Sequence, residues 1–203
     1  MKLYHSPASP FVRKALVAAH ELGLAERIEI VGVAMTPVAG VDALNAENPL
    51  GKIPALVLED GTTLYDSPVI CEYLDTRHDG PRLFPPAGPE RWTALRRQAL
   101  ADGLLDAAIL CRYETFLRPA ERQWADWIDG QRGKFRRALD ALEGEAESFG
   151  DTVDIGTVAA ACAADYLDFR SLDDGWRDGR PRLATWLEGF AERPSMRATR
   201  PSA

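Results

Sequence analysis

Three short motifs near the start of the chain place polar groups where a helix or a strand should begin. Ser9-Pro10 and Asp66-Ser67-Pro68 each combine helix-capping residues with a proline, which favours the first turn of a helix. A helix start exposes N–H groups and a hydroxyl that can bind an anion. Ile53-Pro54 precedes the strand-like run 55–58, and a cis bond there would turn the Ile53 backbone toward an extended ligand. The motifs predict a site for an anionic, peptide-like molecule.

The elements that must position these motifs follow the order βαβαββα. Residues 1–5 and 27–33 are predicted to be strands, and apolar residues at helical spacing predict a helix over residues 10–22. A short helical turn within 36–47 comes next. Asp60-Gly61 then indicates a hairpin, followed by a helix that ends near residue 76. This order predicts a thioredoxin-like α/β domain over residues 1–78, with the first two strands parallel and the hairpin antiparallel.

The rest of the chain is predicted to be helical. Residues 79–89 are rich in glycine and proline and show no periodicity, which indicates a linker. Residues 90–203 are predicted to form an all-α domain, with helices over 89–116, 119–149, 152–169 and 181–191 and a last turn near Ser195. Asp151 is expected to cap the third of these helices, with Asp154 at its third position.

Composition excludes several classes of protein. The chain has 203 residues, a net charge of -7 and 46% hydrophobic residues, which is enough for a packed core and argues against a nucleic-acid or anionic membrane surface. No long apolar stretch or signal peptide is present, so a cytoplasmic location is expected. Three widely spaced cysteines indicate core residues rather than disulfides or a metal site.

The segments SPASPFVRK, NPLGKIP and DSP, with a hairpin between the last two, resemble the glutathione-binding half of the cytosolic glutathione S-transferases. Bacterial members with a serine at the helix start are the most similar. The resemblance implies a thioredoxin-like domain followed by an all-helical domain, glutathione as co-substrate, no metal, and a homodimer. It also implies a small hydrophobic electrophile as the second substrate.

The resemblance also implies roles for individual residues. Ser9 would donate a hydrogen bond to the glutathione sulfur and stabilise its thiolate. Asp66 and Ser67 would hold the amino and carboxylate groups of the γ-glutamyl end. Ile53, followed by Pro54, would bind the cysteinyl backbone, and Lys52 would reach the glycyl carboxylate.

Other interpretations of these residues stay open. Ser9 could be a helix cap only, and Tyr4 is a competing catalytic hydroxyl. The protein could also be a non-catalytic interaction protein of the same fold, or a glutathione-dependent peroxidase or thiol-exchange enzyme. The electrophile pocket is expected to draw on one stripe of the first long helix, which contains Leu104, Leu105, Ala108, Arg112 and Tyr113.

Overall fold

The computed structural model describes residues 1–202, which form two compact units. The first unit comprises Met1–Phe84 together with the segment from Pro194 onward, and the second comprises Pro85–Arg193. The predicted combination of a thioredoxin-like α/β part and an all-helical part is therefore confirmed. The boundaries differ from the predicted 1–78, 79–89 and 90–203.

The first unit is a small mixed sheet covered by helices. Its elements are β1 (Lys2–His5), α1 (Pro10–Glu21), β2 (Glu29–Gly32), α2 (Asp42–Glu47), β3 (Ala55–Val57), β4 (Thr63–Leu64) and α3 (Ser67–Asp75). The strand order is β2-β1-β3-β4. Strand β1 pairs in parallel with β2 and antiparallel with β3, and β3 pairs antiparallel with β4. The predicted order and orientation of the elements are thus observed.

The core of this unit lies between the sheet and the helices α1 and α3. Leu3 of β1 and Leu56 of β3 are register partners, and both are almost fully buried. Val12 on α1 and Ile70 on α3 are equally inaccessible. Burying a side chain of this kind contributes about 1.5–3 kcal/mol, so this layer holds both helix starts against the sheet.

The first unit extends beyond the predicted boundary at residue 78 because Asp75 binds the chain that follows it. The Asp75 carboxylate is buried and accepts a hydrogen bond from the N–H of Leu83 at 2.6 Å. Arg82 donates to the Asp75 carbonyl, and Leu83 and Phe84 are buried. The glycine- and proline-rich composition of this segment contained no sign of these contacts.

The end of the chain also belongs to the first unit, although it was predicted to lie in the helical domain. Helix α8 (Pro194–Ala198) packs on α1. The Ser195 hydroxyl donates to the Glu21 carboxylate, and Arg13 donates to the Met196 carbonyl at 3.4 Å. These contacts join residues more than 170 positions apart, so local sequence patterns could not reveal them.

The second unit is built from α4 (Gly88–Phe116), α5 (Ala125–Glu145), α6 (Ile155–Arg170) and α7 (Pro181–Ala191). The predicted helix over 119–149 is divided into a 3-10 turn at Ala120–Arg122, the helix α5, and a second 3-10 turn at Ala146–Ser148. Every residue from Ile155 to Ala164 is buried, so α6 is apolar on all sides at its N-terminal half. Within this unit it packs mainly on α4.

The start of α6 corrects the predicted capping arrangement. Asp154 is the N-cap residue, not the third residue of the helix: its carboxylate accepts from the N–H of Thr157 at 2.8 Å. The Thr157 hydroxyl in turn accepts from the Asp154 N–H at 3.0 Å. Both hydrogen bonds of this capping box are buried. Because they join Asp154 to Thr157, the helix begins three residues later than a cap at Asp151 would place it.

An ion-pair group joins α4 to α5. Arg96 and Arg97 both donate to the Glu145 carboxylate, at 2.7 and 2.8 Å for their closest atoms. These hydrogen bonds, those from Arg96 first, lower the pKa of Glu145 to about 2 despite its partial burial. The Glu145 carboxylate is therefore ionised at neutral pH.

Three further findings concern membrane-spanning helices, metal sites and disulfides. Within residues 1–202, no helix combines the length and apolar character needed to cross a membrane. In the same range, no group of three or more His, Cys, Asp or Glu side chains is arranged to hold a metal ion. Cys71, Cys111 and Cys162 are all buried and form no disulfide, as core residues would.

Gly156 of α6 lies close against α4, and its replacement should be destabilising. A Cβ at this position would lie 2.7 Å from the Arg97 Cβ and 2.8 Å from the Ala94 carbonyl oxygen. Gly156→Ala should therefore lower the free energy of unfolding by roughly 1–3 kcal/mol, measured by urea denaturation. Gly130→Ala is the control, because its Cβ would meet nothing within 4 Å; it should raise stability by about 0.5–1 kcal/mol. If the two substitutions changed the free energy of unfolding equally, close packing at Gly156 would not be the cause of the destabilisation.

Candidate functional site

The three motifs meet at one end of the sheet because of the strand register. Tyr4 of β1 pairs with Ala55 of β3, so the loop that leaves β1 lies beside the segment that enters β3. Leu56 of β3 pairs with Leu64 of β4, which brings the segment after β4 to the same end. The loop before Ser9, the Ile53-Pro54 bond and the start of α3 are thus neighbours at one edge.

Ser9 caps α1, and the cap leaves its hydroxyl proton available. Its Oγ accepts a hydrogen bond from the N–H of Val12 at 3.3 Å, and Pro10 begins the helix. Ser9 is half-buried, and its own N–H donates to the Ser6 carbonyl at 3.0 Å. Since the oxygen accepts in the cap, the O–H can still donate to an atom outside the helix. Capping and donation to a ligand are therefore compatible.

The Ile53-Pro54 bond is cis, as expected from its position before β3. Pro54 is buried, and β3 begins at the next residue. The ladder with β1 starts at Ala55, so Ile53 stands just outside it. Its backbone N–H and C=O are therefore placed to bind an extended partner.

The loop before this bond is shaped by Asn48, a residue for which the sequence analysis proposed no role. Asn48 is 1% exposed. Its Nδ2 donates to the Lys52 carbonyl at 2.8 Å, and its Oδ1 accepts from the Leu50 N–H at 3.0 Å. Gly51 has φ +58, which favours glycine. The sequence signal was available: Asn-Pro followed by glycine is typical of a tight turn.

The start of α3 leaves two polar groups for a ligand. Asp66 is the N-cap residue but makes no side-chain capping bond, and it is exposed. Ser67, the first helical residue, is 1% exposed. The carboxylate of Asp66 can thus bind a cation, while Ser67 and the helix N–H groups favour an anion. The roles predicted for these two residues stay predictions.

Lys52 and the end of β1 complete this edge. The Lys52 side chain is exposed, so its ammonium group is accessible to a ligand carboxylate. Tyr4 is half-buried and lies within the ladder, paired with both Val31 and Ala55. Burial lowers the pKa of His5, which is therefore neutral at neutral pH and adds no positive charge here. Lys52, Ser9 and the two helix starts are the groups at this edge that favour a negative charge.

The stripe predicted to line an electrophile pocket divides into two parts. Leu104, Leu105 and Ala108 are at most 1% exposed, so they are core residues of the helical unit and present no surface to a ligand. Arg112 is half-buried and Tyr113 is 37% exposed. Only these two polar members of the stripe are accessible.

A thioredoxin-like unit with a cis proline before β3 and polar residues at two helix starts, followed in sequence by an all-helical unit, is the domain order of the glutathione transferase fold. Family models match both units: the N-terminal domain of glutathione S-transferase over residues 3–82 and the C-terminal domain over residues 125–189. The chain belongs to the glutathione S-transferase family.

Similar proteins support this assignment over the full length. The Uncharacterized GST-like protein YibF of Escherichia coli K12 is 38% identical and aligned over 99% of this chain and 98% of its own. A glutathione transferase family member from Pseudomonas fluorescens Pf-5, solved with bound glutathione, has a TM-score of 0.97 at 50% identity, covering 100% and 99% of the two chains. A structure of a Pseudomonas fluorescens Pf-5 family member with bound S-(propanoic acid)-glutathione has a TM-score of 0.92 at 48% identity, covering 100% of both chains.

Removal of the Asn48 side chain should destabilise the loop that carries Lys52 and Ile53. Asn48→Ala loses two hydrogen bonds from a buried side chain to the backbone of the loop, which should cost roughly 1–3 kcal/mol in urea denaturation. Asn48→Asp keeps the acceptor but sets a carboxylate against the Lys52 carbonyl, so it should also destabilise. Asn45→Ala, an exposed change in α2, should stay within about 0.5 kcal/mol of the parent. An Asn48→Ala protein of parental stability would refute the role assigned to this side chain.

Proposed function

We propose that this protein binds glutathione and transfers it to a small electrophile. The observation that carries the proposal is the convergence of the Ser9 hydroxyl, the open Ile53 backbone and the α3 start at one end of the sheet. Glutathione is an extended peptide with a carboxylate at each end, so it matches these groups in shape and charge. Glutathione bound to a relative of 50% identity supports the same ligand.

Each contact group has a defined task in this proposal. The N–H and C=O of Ile53 bind the cysteinyl residue of glutathione, as a strand edge binds a peptide. Ser67 and the α3 N-terminus bind the γ-glutamyl carboxylate, and Asp66 accepts from the neighbouring ammonium. Lys52 pairs with the glycyl carboxylate. These contacts set the sulfur beside Ser9.

Ser9 stabilises the thiolate form of the bound sulfur. A hydrogen bond to a charged acceptor is worth about 1.5–3 kcal/mol, and the α1 N-terminus adds about 0.3–1 kcal/mol. Since about 1.4 kcal/mol corresponds to one pKa unit, these two interactions lower the pKa of the glutathione thiol from about 8.5 to around 6–7. The thiolate, which is the nucleophile, then forms a large fraction at neutral pH.

The transfer itself needs only the thiolate and an electrophilic carbon. The sulfur lone pair forms the S–C bond, and the leaving group departs with the electron pair of the bond that breaks. The family member that binds S-(propanoic acid)-glutathione holds a thioether of the kind such a reaction produces. The proposed location is the cytoplasm, where thiols stay reduced, in keeping with three buried cysteines that form no disulfide.

The Ser9→Ala variant tests the proposed role of the serine. The parent should bind glutathione in calorimetry and conjugate it to members of a broad electrophile panel. Ser9→Ala should bind glutathione nearly as well, turn over roughly 10- to 100-fold more slowly, and show a kinetic pKa shifted upward toward that of free glutathione. It should also lose about 1 kcal/mol of stability, because the cap to Val12 is removed.

Two controls separate these effects. Ser9→Thr keeps both the acceptor and the donor, so it should retain the parental kinetic pKa. Ser67→Ala should weaken glutathione binding while leaving the kinetic pKa in place. If Ser9→Ala loses stability but keeps its rate and pKa, Ser9 is a cap only. Glutathione binding without any turnover across the panel would instead favour a non-catalytic protein.

The proposal includes a homodimer with two-fold symmetry. Several large apolar side chains are strongly exposed, among them Leu50 at 64%, Trp92 at 69% and Trp124 at 62%. Exposed large apolar side chains can be covered at a subunit interface, and isologous dimers are the commonest soluble oligomers. Sedimentation at micromolar concentration should give a mass of two chains, and a mass of one chain would refute the dimer.

A further inference from the structure

A cavity lies within the first unit at the end of the sheet opposite the candidate site. Its volume is about 280 Å³, and its wall includes Arg27, Leu58, Glu59, Asp60, Tyr73 and Arg77. Lys2 at the start of β1 pairs with Glu29 at the start of β2 and with Val57 at the end of β3, so the segments that carry the wall meet here. The lining residues include none of the groups proposed to bind glutathione.

Two arginines form the basic side of this cavity. The Arg77 guanidinium lies over the Tyr73 ring at 5.5 Å, and Arg27 Nη1 approaches the Arg77 carbonyl oxygen to 3.5 Å. Among residues 1–202, neither arginine forms an ion pair with a carboxylate. Arginine can donate two parallel hydrogen bonds to a carboxylate, so the basic side suits a ligand that carries one.

The tight turn between β3 and β4 forms the acidic side. Asp60 Oδ1 accepts from the N–H of Thr62 at 2.9 Å, and hydrogen bonds from Thr62, that from its backbone first, lower the pKa of Asp60. Gly61 has φ +85, and its N–H donates to the Leu58 carbonyl at 3.1 Å. Asp60 is therefore ionised at neutral pH on a hydrogen-bonded turn, and Glu59 adds a second acidic side chain.

The two sides carry opposite charges that do not meet. Lys2 and Glu29, at the same end of the sheet, approach each other to 4.0 Å. In the part of the chain that the structure describes, no such pair joins the basic side of the cavity to the acidic turn, although both line the same space. Opposite charges held apart in this way can each bind the complementary group of one ligand. The arrangement therefore suits a ligand that carries both an anionic and a cationic group.

The rest of the wall limits the size and polarity of that ligand. Leu58 and Tyr73 are half-buried, and with Met1 they add apolar surface next to the charged groups. The volume of about 280 Å³ is at the lower end for ligand pockets, which begin near about 300 Å³. A small zwitterion with one apolar group fits these limits.

We propose that this cavity binds a free α-amino acid with an apolar side chain. Arg27 and Arg77 bind its carboxylate, and the acidic turn binds its ammonium group. Leu58 and Tyr73 contact its side chain. Because the cavity contains none of the proposed glutathione contacts, this inference does not depend on the proposed transferase function.

Three probes with one carbon skeleton test this inference. L-Phenylalanine carries both charges, hydrocinnamate lacks the ammonium group, and phenethylamine lacks the carboxylate. Calorimetry in the presence of excess glutathione should show that the protein binds L-phenylalanine about tenfold more tightly than either analogue.

Variants of the two sides should separate the two charges of the ligand. Arg77→Gln and Arg27→Gln should each weaken L-phenylalanine binding by about three- to tenfold and leave the affinity for phenethylamine at the parental value. Glu59→Gln should weaken L-phenylalanine binding to a similar extent but leave the affinity for hydrocinnamate unchanged. All three side chains are exposed, so the variants should fold, which circular dichroism checks.

Lys2→Gln is the matched control for surface charge. Lys2 lies at the same end of the sheet, but it pairs with Glu29 and does not line the cavity. Lys2→Gln should therefore bind L-phenylalanine with the parental affinity. An equal loss of affinity in Lys2→Gln and Arg77→Gln would show a general charge effect and would overturn the site.

Two further outcomes would overturn the inference. One is an affinity for L-phenylalanine that equals that for either analogue, or that survives in both arginine variants. The other is binding of L-phenylalanine only when glutathione is absent, because the amino acid would then occupy the start of α3, where the γ-glutamyl end of glutathione is proposed to bind. Failure of the protein to bind glutathione would overturn the proposed function but leave the amino-acid site intact.

Discussion

The antiparallel pairing of β1 with β3 is the constraint on which the candidate site depends. It sets Tyr4 opposite Ala55 and thereby places the loop that ends at Ser9 beside the cis Ile53-Pro54 bond. Because side chains alternate along a strand, a slip of one residue would turn Leu3 and Leu56 out of the core and separate the loops. The same burial that stabilises the sheet therefore also fixes the site.

Uncompensated charge distinguishes Asp66, for which we propose a role in binding, from the charged residues that stabilise the fold. Asp154 and Glu145 are fully engaged, one in a helix cap and the other with two arginines, and they stabilise the helical unit. Asp66 is a cap residue whose carboxylate makes no capping bond and is exposed. A protein of this size can leave such groups unpaired only where a ligand or solvent compensates them.

The sequence by itself determined the order of the elements and the family, because short-range chemistry encodes them. Proline and serine at helix starts, Asp60-Gly61 at the hairpin, and the proline before β3 each act within a few residues. These signals predict the order of strands and helices, the cis Ile53-Pro54 bond and the family. The structure and the comparisons agree with these three predictions. The roles of Ser9, Lys52, Asp66 and Ser67 remain predictions that the observed placement supports.

Only the tertiary structure decided which residues are buried and which distant segments meet. The stripe of Leu104, Leu105 and Ala108 has the same helical spacing whether it faces a ligand or a core, and the packing of α4 made it core. Asn48, Asp75 and α8 act through buried contacts with backbone or with residues far along the chain, which no local pattern contains. Periodicity in a sequence shows that one face of a helix is apolar. It does not show what that face packs against, because all apolar surfaces of the chain are buried together when it folds.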